Sequence, residues 1–178
     1  MNQDTSLEYL PNMLMIGSTA KHIGKTALIC NFIKQLSQHY TVIAIKVTPT
    51  KMAVTLYSIE RIYSSGQNAN TDTDRFSQAG AQEVYWIQSS REQLAAVLQK
   101  ALSSLVYQQS KTVLLIESAG ARRFIHPGCF IMLTTAKKSV KPSTSSILPM
   151  ADITFDTEKV DLSNLRVCFD GTMFTFQE

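Results

Sequence analysis

The sequence has no apolar run approaching the roughly 20 residues that a bilayer-crossing helix needs. Its longest, such as Val113-Leu114-Leu115-Ile116, covers a fraction of that. Its three cysteines, Cys30, Cys129 and Cys168, stand far apart, so no Cys-x-x-Cys pair exists to build a zinc ribbon or a redox motif. Isolated thiols of this kind suit buried positions in a reducing compartment. Charge is sparse: 17% of residues are charged, and 17 basic against 14 acidic side chains leave a net +3. That excess is too mild to mark a nucleic-acid binder, and equally suits an anionic small ligand. The opening Met1-Asn2-Gln3-Asp4-Thr5 carries no basic, apolar export signal, so a cytoplasmic protein without a membrane partner is expected. No repeat, low-complexity tract or linker interrupts the chain, and residues 1–178 read as one domain. At 44% hydrophobic residues, it can bury a substantial core.

What is present alternates between strand and helix patterns. Met13-Leu14-Met15-Ile16 reads as a short buried strand ending at Gly17. Leu28, Ile29, Phe32, Ile33 and Leu36 recur at helical spacing, which predicts a helix starting near Lys25. Thr41–Val47 is rich in β-branched residues and reads as a second strand, stopped by Pro49. Ser64–Asn70 is polar and turn-rich, and predicts a mobile loop. A short helix is expected over Asp74–Ala79, closed by Gly80. Glu83–Gln88 reads as a strand. Ser90-Arg91-Glu92-Gln93 has the form of a capping box before a helix whose apolar face is Leu94, Val97, Leu98, Ala101, Leu102 and Leu105. Thr112–Ile116 is continuously apolar, as in a parallel sheet covered on both faces. Phe130–Leu133 and Ile153–Phe155 read as further strands, with a short helix over Ser143–Leu148. The end, Leu165–Phe169 and Thr172–Phe176 around Asp170-Gly171, reads as a β-hairpin. The fold class predicted is α/β, a three-layer arrangement with a mostly parallel sheet, helices on both faces and a C-terminal β-hairpin.

The most specific motif is Gly24-Lys25-Thr26, between a predicted strand and a predicted helix. Glycine lets backbone curl closely around phosphate oxygens. Lysine supplies charge for the β- and γ-phosphates, and the threonine hydroxyl is a magnesium ligand. The helix start adds unpaired N–H groups and the positive end of its dipole. The nucleotide-binding segment expected is Thr19, Ala20, Lys21, His22, Ile23, Gly24, Lys25, Thr26 and Ala27. The usual pattern G-x-x-x-x-G-K-[ST] places its first glycine where Thr19 stands, and Gly17 comes two residues too early. A bare Gly-Lys-Thr also occurs in strand-loop-helix units that bind nothing. Lys21 either adds charge near the phosphates or is a solvated loop lysine, and His22 reads as space-filling.

Other residues extend the site. Glu117 ends the apolar strand 113–116, where an acid holds magnesium or orients an attacking water. Lys25 and Glu117 are therefore the catalytic candidates, and Thr26, Glu117 and Asp72 the magnesium candidates. Asp72 and Asp74 are equally suited to capping a helix. Lys46, at the end of the second strand, and Arg122, beside Arg123, are candidates for a second anion.

These segments together resemble the MobB-type family of molybdopterin-guanine dinucleotide biosynthesis adaptors. Ile16–Thr26 is similar to its G-x-T-G-R-N-x-G-K-T loops, with Lys21 for the arginine. Ile45-Lys46-Val47-Thr48, Asp72-Thr73-Asp74 with Ala79-Gly80-Ala81, Ile116-Glu117-Ser118, Pro127-Gly128 and Lys141-Pro142-Ser143 extend the likeness over roughly residues 13–155. Ala20 replaces the loop glycine, and no histidine follows Thr48. The resemblance implies a phosphate-loop (Walker A) NTPase fold, binding of GTP with Mg2+, weak GTP hydrolysis, and a nucleotidyltransferase or molybdoenzyme partner. The guanine-reading Asn-Lys-x-Asp motif is absent, so ATP stays open, as does a homodimer. Two other readings stand beside it: a small-molecule kinase or ligase resembling dethiobiotin synthetase, and a nucleotide-binding scaffold without catalysis.

Overall fold

The computed structural model describes residues 8–50, 56–63, 71–105 and 108–178. The loop expected at Ser64–Asn70 lies outside them. The strands are β1 (Glu8–Ser18), β2 (Thr41–Pro49), β3 (Tyr57–Arg61), β4 (Glu83–Ser89), β5 (Thr112–Glu117), β6 (Ile125–Thr134), β7 (Ile153–Asp156), β8 (Arg166–Phe169) and β9 (Phe174–Gln177). The helices are α1 (Lys25–Leu36), α2 (Asp72–Gln78), α3 (Leu94–Ser104) and the four-residue α4 (Pro142–Ser145). A tight 3-10 turn spans Gly120–Arg123.

Seven strands form one sheet in the order β3-β4-β2-β5-β1-β6-β7, parallel except where β3 runs antiparallel along β4. The central strands β1 and β5 are covered on both faces, which is why their apolar runs are continuous rather than alternating. Alternate residues divide between two cores. Leu14, Ile16, Ala44, Val113 and Leu115 pack beneath α1 and α2. Met13, Met15, Ile45, Leu114 and Ile116 pack beneath α3 and the Gly120–Arg123 turn. No helix among the described residues is long and apolar enough to cross a membrane.

Several elements differ in extent from the sequence pattern. β1 and β6 run beyond their apolar centres, and their shared ladder shifts register between Leu10 and Leu14. The bulge lets polar flanks pair where periodicity shows nothing. The short helix starts at Asp72 rather than Asp74, because Thr71 caps it reciprocally with Asp74; Gly80 follows with φ of 110°. The box at Ser90–Gln93 forms only by half: Gln93 N–H donates to Ser90 Oγ at 3.4 Å, while Gln93 Oε1 is buried without a partner. The helix expected over 143–148 shrinks to α4 and a separate turn at Leu148–Met150. In the C-terminal hairpin Phe169 pairs with Phe174, so the connection is four residues, not the two of Asp170-Gly171. Asp170 sets it by accepting from the N–H groups of Thr172 and Met173.

The hairpin is a further cover over α1. Asn31 Nδ2 donates to the carbonyls of Leu162 and Leu165 at 3.1 and 3.0 Å. Gln35 accepts from Val167 N–H and donates to Leu165 O. Phe176 meets Phe32 and Phe155. These bonds hold α1 between sheet and hairpin, and so fix the direction in which its first turn points.

Candidate functional site

The connection from β1 runs through α1 on one face to β2, skipping β5. The connection from β5 runs through the Gly120–Arg123 turn on the other face to β6, skipping β1. Neighbouring strands whose links diverge to opposite faces leave a crevice at their carboxyl ends, where open α/β sheets hold ligands. A cleft of about 640 Å³ opens there.

The loop from β1 into α1 forms one wall. Its base is tied down: Thr19 N–H and Oγ1 both donate to Leu133 O, and Thr19 O accepts from Lys141 N–H at 2.8 Å. Ala20 is buried, its carbonyl accepting from Ser18 Oγ. Thr19 and Ala20 therefore hold the loop without lining the cleft; Lys21, His22, Ile23, Gly24, Lys25, Thr26 and Ala27 line it. His22 and Gly24 have φ of 54° and 97°. Such left-handed turns aim successive N–H groups at a concavity that suits an anion. No side chain caps α1, and among the described residues no backbone carbonyl accepts from the N–H groups of Gly24 to Ala27. Gly17 has a different task. A Cβ there would lie 2.5 Å from Met132 Sδ and 2.8 Å from Ala119 Cβ, so it is a packing glycine within β1, not part of the loop.

Sheet register supplies the floor. Lys46 on β2 stands beside Glu117 on β5, which stands beside Ile16 on β1. Lys25 Nζ lies 3.6 Å from Glu117 Oε1, and Lys46 Nζ lies 3.9 Å from Oε2. Glu117 is 8% exposed, and its Oε2 is buried without a hydrogen bond. Lys46 also pairs with Asp72 from the start of α2. Burial pushes the Asp72 carboxyl up, but the bond and charge of Lys46, the Thr26 hydroxyl and Arg75 outweigh it, and the net shift is downward. Asp74 instead completes the cap of α2.

The paired arginines divide as well. Arg122 is buried, with Nη1 donating to Ile125 O; it does not face the cleft. Arg123 lines it, with Nη2 donating to Ser143 O and Ser146 Oγ. Three further cations reach the cleft that are not site candidates in the sequence: Arg75, Arg91 and Lys141, the last figuring there only as part of the segment Lys141-Pro142-Ser143. Lys141 is half-buried, and burial first, then the charges of Lys25 and Lys21, lower its amine below the ordinary lysine value. Lys138 Nζ donates to Lys21 O and His22 O and braces the loop.

In total seven basic side chains and two acidic ones line the cleft, an excess larger than that of the whole chain. The chain matches no protein-family model, no curated protein and no solved structure. The site's chemistry must therefore be read from its own groups. A lining with this positive excess suits an anion, and the Thr26 hydroxyl, Asp72 and Glu117 add hard oxygen donors of the kind magnesium prefers. Among the described residues no three His, Cys, Asp or Glu side chains cluster to hold an ion by themselves. A magnesium ion here would need phosphate and water oxygens as its other ligands, the usual arrangement for that ion.

Proposed function

We propose that the chain binds a nucleoside triphosphate with Mg2+, GTP in preference, and hydrolyses it slowly, as a divergent MobB-like adaptor. The observation that carries this reading is the seven cations, against two carboxylates, lining the cleft into which an uncapped helix start opens. N–H groups of the Gly24–Ala27 turn would bind β- and γ-phosphate oxygens, aided by the helix dipole. Lys25 would leave Glu117 and move onto the terminal phosphates. Glu117, freed from that pairing, would orient a water molecule against the γ-phosphorus. Thr26, Asp72 and Glu117 would hold magnesium, which supplies neutralising charge on the phosphates. Lys46 would release Asp72 for that role and turn toward the γ-phosphate. Preference for GTP, and a nucleotidyltransferase or molybdoenzyme partner, rest on the family resemblance.

Calorimetric titration with GTP and ATP, each with and without magnesium, tests this. Lys25→Ala should weaken triphosphate binding tenfold or more while leaving the melting curve intact. Equal affinity in the folded variant would remove the central claim. A rival, a dethiobiotin-synthetase-like kinase or ligase, gains support from the cationic wall around Arg91 and Arg123. Turnover that rises with an added second substrate would favour it over the adaptor. Absence of any cleavage would favour a scaffold.

A further inference from the structure

The cleft straddles the carboxyl edge of the sheet, and its two halves differ. Over the α1 face, Lys25 and Lys46 each sit on a carboxylate, Glu117 or Asp72. Over the α3 face the lining includes Arg91, Leu94, Arg123, Phe124 and Ile147, the last four packed in or against the α3-side core or fixed by α4. Arg91 and Arg123 form no ion pair among the described residues. Neither does Lys141, which lies between the halves.

Cations gathered on one wall without counter-charge repel each other, and the repulsion is relieved when an anion enters. Arg123 is pre-oriented by Ser143 and Ser146, and a held guanidinium suits planar or tetrahedral oxyanions. The half-buried Phe124, packed against the core that includes Leu94 and Ile147, adds an apolar surface. A site with few fixed charges on an apolar wall is the usual form of a small-molecule pocket.

We propose that this half is a separate subsite for a small organic anion, a phosphate or carboxylate on an apolar or aromatic body, occupied together with the triphosphate. The proposal rests on the nucleotide reading of the α1 half. Its occupant would present the anionic group to Arg91, Arg123 and Lys141, with its body against Phe124. Bound so, it would share one cleft with the γ-phosphate, as an acceptor or a co-ligand must.

Phenyl phosphate and benzoate are suitable probes, titrated by calorimetry into the full chain alone and into the chain saturated with a non-hydrolysable triphosphate and magnesium. At least one should bind in both settings, and the tighter of the two tells phosphate from carboxylate. Arg91→Gln should weaken the probe fivefold or more, and weaken the triphosphate less than Lys25→Ala does. The Arg91 side chain makes no hydrogen bond among the described residues, so its replacement leaves the packing alone; Arg123→Gln, checked by thermal melting, is the second variant. Mutual exclusion of probe and triphosphate would overturn the proposal by making the cleft a single site. Indifference of the probe to both arginines, or no binding of either probe, would overturn it as well. If the wild-type chain binds no triphosphate while the probe stays sensitive to Arg91→Gln, only the nucleotide reading falls.

Discussion

Gly24→Ala tests the loop without reference to any ligand. Gly24 has φ of 97° and ψ of 4°, where a side chain costs roughly 1–2 kcal/mol. A Cβ there would also lie 2.9 Å from Leu162 Cδ1. That atom is the end of a flexible side chain, so overpacking should cost near the low end of its range, about 1 kcal/mol. Alanine also restricts the unfolded chain, which returns roughly 0.4–1 kcal/mol. The net is a loss of about 2 kcal/mol, and for a chain of this size about 4–8 °C in melting temperature. Differential scanning calorimetry measures it. In a Leu162→Ala background the steric part should vanish and the backbone part remain, giving a coupling of about 1 kcal/mol in a double-mutant cycle. A Gly24→Ala variant melting within a degree of the parent would show that the loop does not need its left-handed turn.

Glu117→Gln should leave triphosphate binding measurable and slow hydrolysis by roughly 10²-fold; single-turnover phosphate release at the parent rate would reduce Glu117 to a strand-end acid. Asn31→Ala removes three bonds from α1 to the carbonyls of Leu162, Ser163 and Leu165 and should cost about 1–3 kcal/mol in urea unfolding, with hydrogen exchange rising first in β8 and β9; an unchanged midpoint would mean the Gln35 bonds and the aromatic contacts hold the hairpin without Asn31. Burial holds the Lys141 amine below its ordinary 10.5, so its charged form is disfavoured in the fold below the lowered value, and that penalty fades as pH rises from there to 10.5. A bound anion stabilises the charged form, so between the lowered value and 10.5 binding of the small organic anion should take up a proton. Calorimetry at a series of pH values up to 10.5, in buffers of different ionisation enthalpy, reads this, and uptake that persists in Lys141→Met would assign the proton elsewhere.

Much of this architecture is legible in the residues alone, for identifiable reasons. α1 begins and ends where Gly24-Lys25-Thr26 and the spacing of Leu28 to Leu36 place it, because one face must meet the sheet. β5 is legible because burial on two faces leaves only apolar choices. β3 is not: Tyr57-Ser58-Ile59-Glu60-Arg61 pairs with β4 alone, and a one-sided edge strand imposes little pattern. Lys25, Lys46 and Glu117 can be placed because each follows an apolar strand in a parallel sheet. Arg91 and Lys141 sit in loops whose meeting depends on strand order, which no local window contains. The choice between Arg122 and Arg123 depends on the phase of a 3-10 turn, about 120° per residue, and a one-residue error reverses it.

The hairpin clamp on α1 has a consequence for synthesis on the ribosome. α1 is complete at Leu36, but the Leu162 carbonyl that Asn31 holds comes 131 residues later than Asn31. At about 5–20 residues per second, translation leaves roughly 7–26 s between the two. In that interval α1 lacks its hairpin cover and Phe32 lacks Phe176, and the uncovered surface is open to chaperones or to a neighbouring nascent chain. The helix that carries Lys25 and Thr26 is thus among the first elements made and among the last to be enclosed. Nascent-chain crosslinking at position 31 should detect chaperone contact until residues 162–177 have emerged, and lose it afterwards.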